Sequence, residues 1–202
     1  MEAAVKPLLY CTLALIALIN PVSKIFVVST LADKTSDHEV RRIAIKSTLI
    51  AAVILLLFIF IGNFLLRNVF HIEIYAFEIA GGFVLFVRGY EALSKGLFFE
   101  VDYNQKLEDL SVVPLASPMI AGPATITASV SFPAKYGLAI TSVSVCIAIA
   151  FNLAIMLTSR YISRFLERLH VVAALIRITG LIVATIGVQM MLDGIGEYIK
   201  QL

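Results

Sequence analysis

The chain has 202 residues, 60% of them hydrophobic and 15% charged, with a formal net charge of +2. Soluble domains run at about 45–50% apolar and about 25% charged residues, so this balance is that of a polytopic membrane protein. A charge so close to neutral also excludes the basic footprint that nucleic-acid binding requires.

At about 20 apolar residues per membrane-crossing helix, the sequence predicts six spans, at 7–31, 43–66, 72–93, 112–132, 138–159 and 171–195. Lys6 and the apolar run behind it have the look of a signal peptide, but no small-residue cleavage site follows. The segment therefore reads as an uncleaved first span. The first span carries a helix breaker, Ile19-Asn20-Pro21-Val22-Ser23-Lys24, and the fourth carries another, Ala121-Gly122-Pro123-Ala124-Thr125. Proline inside a helix removes a hydrogen bond and clashes with the preceding turn, at a cost of about 3 kcal/mol. A span broken in this way either crosses in two halves or turns back as a re-entrant segment. The third span holds Glu78, Ile79-Ala80-Gly81-Gly82, Arg88 and Glu91, and a polar connection over 95–111 follows it. Cys11 and Cys146 fall within spans and read as small apolar side chains, with no disulfide framework or metal spacing around them.

Six spans place both termini and the loops after spans two and four on one side. That side carries Lys6, Arg67, Lys135 and Lys200; the other carries Lys34, Arg41, Arg42, Lys46, Lys95, Lys106, Arg160, Arg164, Arg168 and Arg177. Basic loops stay in the cytoplasm, so both termini are expected outside it.

Laying Pro21 on Pro123, an offset of 102, pairs Asn20 with Gly122 and Ser23 with Thr125; Gly81 falls on Gly180 with an offset of 99. The chain thus reads as one transmembrane domain, 1–202, made of two three-helix halves at about 1–97 and 110–202. An odd number of spans per half inverts the second half, the arrangement of many secondary transporters. The fold class expected is all-α, six transmembrane helices in two inverted three-helix repeats, with helices 1 and 4 broken near the bilayer midplane.

Each break creates a half-helix N-terminus whose free amides and positive dipole end can hold a carboxylate. The half-helix that stops before it offers carbonyls to an ammonium or a cation. A small zwitterion fits both, and Asn20 reads as an N-cap for the helix begun by Pro21. The candidate substrate site is Asn20, Pro21, Val22, Ser23 and Lys24 with Gly122, Pro123, Ala124, Thr125 and Thr127. The alternative is a pair of proline kinks whose freed backbone groups are satisfied by neighbouring helices without a ligand. Intramembrane Glu78, Arg88 and Gln189 are candidates for coupling or gating, with a proton or sodium as the coupling ion. Arg88 and Lys24 also have the length to snorkel to the basic surface. His38, His71 and His170 lie in loops or at span ends without metal spacing, and no phosphate-binding glycine loop is present. No enzymatic activity, metal or cofactor is expected.

Taken in order, Asn20-Pro21, Ile79-Ala80-Gly81-Gly82, Pro114-Leu115-Ala116-Ser117-Pro118, Ala121-Gly122-Pro123-Ala124-Thr125-Ile126, Gly187-Val188-Gln189 and Asp193-Gly194-Ile195 resemble the MarC family of integral membrane proteins. The resemblance covers essentially the whole chain. It implies a six-span protein of the inner cell membrane and, from some members, transport of small neutral amino acids such as glycine and alanine. Many members have glycine where this chain has Ala124. The function expected is a secondary transporter working by alternating access around the two breaks. An exporter of amino acids or other small molecules, and a non-transporting assembly or regulatory protein, are the competing readings.

Overall fold

The computed structural model describes residues 2–32, 36–96, 120–168 and 172–201. Most of the 95–111 connection, the first part of span four with Pro114-Leu115-Ala116-Ser117-Pro118, and Lys34, Lys106 and His170 lie outside the described residues. Among the described residues the chain is all helical, with no strand: α1 (Glu2–Ile19), α2 (Pro21–Ala32), α3 (Asp37–Phe64), α4 (Ile74–Lys95), α5 (Pro123–Tyr136), α6 (Leu138–Arg168) and α7 (Val172–Ile199). One π-helical turn, Leu65–Val69, continues α3.

Local chemistry sets these boundaries. Ser36 caps α3 by a capping box: its hydroxyl accepts from the Glu39 amide, while the Glu39 carboxylate accepts from the Ser36 amide. The helix therefore starts at Asp37, well before the apolar run predicted from 43. Gly96 ends α4 in the left-handed conformation, with φ 69° and its amide donating to Ala92. α3 with its π turn, α6 and α7 are long and apolar enough to cross a membrane. α4 has 22 residues but carries Glu78, Arg88 and Glu91.

The first predicted span is divided at Asn20 into α1 and α2. Both halves pack along α6. Near the start of α6, Ser144 lies beside Leu8 and Cys11 of α1; sixteen residues further on, Arg160 pairs with Asp37 just beyond α2. That is an advance of about 24 Å along α6, so α1 and α2 run in the same sense and the break is a kink, not a reversal.

Exposure is inverted relative to a soluble protein. Leu9, Leu13, Leu49, Phe60, Phe83, Tyr90, Ile178 and Leu181 are exposed, whereas Ser47, Thr125, Thr127, Ser129, Ser131, Thr141, Ser144 and Asn152 are buried. Hydroxyls inside and large apolar groups outside suit a lipid solvent, which gives no hydrogen bonds to the outer surface.

The most extensive helix pairing joins α4 and α7. A Cβ at Gly82 would meet the Gly187 carbonyl at 2.6 Å, and one at Gly89 would meet the Ala184 amide at 2.4 Å and the Gly180 carbonyl at 2.6 Å. These two helices run antiparallel with their backbones in contact. The obstructing atoms are backbone, which cannot swing aside. Gly89→Val is therefore expected to destabilise the protein by about 1–3 kcal/mol, as overpacking does. A fall of several degrees in melting temperature in detergent is the expected readout. Gly196→Ala, where a Cβ has open space, should leave the melting temperature unchanged.

Candidate functional site

Asn20 stands alone between two helices. Its φ of 53° is left-handed, a conformation that asparagine tolerates better than most residues. Its amide donates to the Ile16 carbonyl at 2.9 Å, so it closes α1. Asn20 stands at the N-cap position before Pro21 but makes no side-chain cap: its side-chain oxygen is buried with no hydrogen-bond partner among the described residues. The carbonyls freed at the end of α1 are taken up from downstream. Lys24 Nζ donates to the Ile19 carbonyl and, at 3.2 Å, to that of Asn20, which also accepts from Ser23 Oγ at 2.8 Å. Lys24 does not snorkel; it is 1% exposed.

The second break follows the same plan. Gly122 (φ −81°, ψ 172°) precedes α5 with no side-chain cap, and Pro123 takes the first helical position. Thr125 Oγ1 donates to the carbonyls of Gly122 at 2.9 Å and Ile120 at 2.8 Å. Thr125→Gly122 thus matches Ser23→Asn20, hydroxyl to carbonyl three residues back, at the positions paired by the sequence offset of 102. Lys24 has no such match, because Ile126 stands at the equivalent place.

The two breaks open onto one cavity of about 110 Å³, lined by Asn20, Ser23 and Lys24 of the first and Gly122, Pro123, Ala124 and Thr125 of the second. Leu18, Ile19, Val84, Leu85 and Val183 complete its wall, and Arg88 lines it from α4. The methyl of Ala124 is part of that lining. Three predicted residues do not border the cavity. Pro21 and Val22 are only partly buried, and Thr127 is turned onto α4, where a Cβ at Gly81 would come within 2.2 Å of its hydroxyl. The apolar liners of α4 and α7 were missed, since a valine or leucine in a span gives no signal of which way it faces.

Glu78 and Gln189 lie elsewhere. Glu78 borders a second, larger cavity of about 460 Å³ with Ser131, Lys135, Arg67, Asp193, Glu197 and Lys200. Leu85 lies seven residues, about 10 Å, further along α4, so this charged vestibule sits one or two turns from the break cavity toward the chain termini. Gln189 is exposed and donates to Asp193 Oδ1 at 2.7 Å within its own helix, so it bridges no helices. Arg88 is half-exposed and pairs with Glu91 at 3.0 Å.

Among the described residues the break cavity is lined by two basic side chains, Lys24 and Arg88, the latter paired with Glu91, and by no carboxylate. It also borders the N-terminus of α5, whose positive dipole end has no side-chain cap. Chemically, this environment attracts a carboxylate, and the unpartnered Asn20 oxygen offers an acceptor to an N–H. A volume far below the about 300–1,000 Å³ of drug-sized sites restricts it to a small solute.

An apolar exterior, a hydroxyl-rich interior and a polar cavity between the α1–α2 break and the N-terminus of α5 define a helical integral membrane protein with a buried cavity. The chain belongs to the MarC family of integral membrane proteins, whose family model it matches over residues 5–199. It is 38% identical over 197 residues to a UPF0056 membrane protein of Pyrococcus horikoshii, covering 98% of this chain and 97% of the relative. A UPF0056 membrane protein of Aquifex aeolicus is 30% identical over 198 residues, covering 93% and 92% respectively. No solved structure matches it.

The left-handed backbone at Asn20 makes a prediction that separates backbone from side chain. Asn20→Gly should keep the melting temperature, since glycine adopts this conformation freely. Asn20→Val should lower it by several degrees, because an ordinary L-residue there costs about 1–2 kcal/mol.

Proposed function

We propose that this protein is a secondary transporter of small neutral amino acids, of the glycine or alanine type, working by alternating access around the break cavity. The observation that carries the reading is that the α1–α2 break and the start of α5 open onto one small cavity lined by Asn20, Ser23, Lys24 and Thr125. The solute's carboxylate is held by Lys24 and the N-terminal end of α5, and its ammonium by the Asn20 oxygen. Pro21, Val22 and Thr127 contribute through the backbone course of the breaks instead of by contact. Glu78, in the outer vestibule, and Arg88, at the cavity, are the coupling or gating groups, with a proton or sodium as the coupling ion. Gln189 is a further candidate for that role, through its bond to Asp193, which pairs with Lys135 of α5.

The proposed scaffold is six spans in two inverted three-helix halves, 1–97 and 110–202. Two matched features support it. The hydroxyl-to-carbonyl bonds at the breaks fall at equivalent positions. The glycine seam is reciprocal as well: an offset of 98 places Gly82 on Gly180 and Gly89 on Gly187, and the contacts join Gly82 to Gly187 and Gly89 to Gly180, as a two-fold axis requires. This register is one residue from the Gly81–Gly180 alignment. The concentration of basic residues in the loops opposite the termini supports placement in the cell's inner membrane with both termini outside the cytoplasm.

Uptake of radiolabelled glycine into proteoliposomes tests the function. The wild type should accumulate glycine in a manner competed by alanine. Asn20→Gly, which keeps the fold, should weaken apparent affinity about tenfold, the upper range for losing one buried hydrogen bond. No uptake under either a proton or a sodium gradient would rule the reading out.

A further inference from the structure

We infer that Lys24 is the resident cation of the break cavity, its ammonium occupying the carbonyl end of α1 where a sodium ion would otherwise bind, so that solute binds without sodium. The inference rests on the solute-site reading of this cavity and adds to it the identity of the cation.

The carboxyl end of a broken transmembrane helix is a cation site by construction. Its carbonyls have lost their partners, its dipole is negative, and in many transporters such unwound carbonyls coordinate the coupling ion. Here that position is filled from within the chain. Lys24 Nζ bonds to the Ile19 and Asn20 carbonyls, and Ser23 Oγ takes a further lone pair of Asn20. A second cation beside them would meet the charge of Lys24, with no carboxylate among the cavity's described liners to offset it.

The ammonium is also one-sided. At the second break Thr125 performs the carbonyl closure with a neutral hydroxyl, and Ile126 stands where Lys24 would be matched. The carbonyls described at the second break are thus closed without a charge, and the ammonium at Lys24 calls for a separate explanation. An ammonium has three N–H donors, of which two are used on the carbonyls. The third remains for a solute carboxylate, which would supply the counter-charge that a 1% exposed lysine otherwise lacks.

Equilibrium binding of glycine to the purified chain, in choline chloride and in sodium chloride, tests the assignment. Wild-type affinity should agree within about twofold between the salts. Lys24→Ala should bind about tenfold or more weakly in choline and recover when ethylammonium or sodium is added. Melting temperatures read without solute separate misfolding from a vacant cation site: ethylammonium or sodium should raise that of Lys24→Ala and leave the wild type unmoved, since only the variant has a site for the ion to stabilise. A wild-type affinity that sodium improves by about tenfold or more overturns the assignment while leaving the solute site intact. A variant that no cation restores in binding or in melting also overturns it. Absence of glycine and alanine binding to the wild type in both salts instead removes the solute reading, and the assignment with it.

Discussion

A backbone carbonyl or amide freed by a helix break inside a bilayer has no water to bond, so the chain or a ligand must satisfy it. Both breaks meet this demand from the first turn of the following helix. Ser23 and Lys24 reach back to Asn20 and Ile19; Thr125 reaches back to Gly122 and Ile120. What this leaves is unequal. The carbonyls of Ile19, Asn20, Ile120 and Gly122 have donors, whereas the uncapped N-terminal end of α5, part of one ammonium and the Asn20 side-chain oxygen remain for something else. The chemistry of the cavity follows from that remainder.

The rest of the molecule places these groups. α6 runs beside both α1 and α2, which keeps the kinked crossing in line and fixes the angle at Asn20. The third wall comes from α4 and α7, and it is their glycines that set it. Leu85 lies between Gly82 and Gly89, and Val183 lies between Gly180 and Gly187, so the liners occupy the middle of a seam where the two backbones touch. A seam built on backbone contact has little room to give. The cavity is therefore small because of packing as much as because of its own small residues.

The break at Asn20-Pro21 and the helix start at Pro123 were legible in the sequence because proline acts locally. Facing was not. Thr125 and Thr127 look alike as letters, yet two residues turn a helix by about 200°, and Thr127 faces Gly81 while Thr125 closes the break. Lys24 was legible as a charge near the break but not as the group that occupies the carbonyls the break sets free. That depends on its side chain leaning back toward the helix N-terminus, the direction in which helical side chains point. Asn20 likewise presents the residue type of an N-cap, and only its positive φ reveals that it closes the helix before it. Glu78 and Arg88 lie on one helix within the same predicted span, and it is the tertiary packing that sends one to the charged vestibule and the other to the break cavity.

The central claim is that the two breaks form a single solute site. Cysteine placed singly at Ser23 and at Thr125, in a background with Cys11 and Cys146 replaced, can be labelled by a small thiol reagent at increasing glycine concentrations. If the breaks share one site, glycine slows labelling at both positions with the same half-saturating concentration. Protection at only one of them, or at neither, would contradict the account.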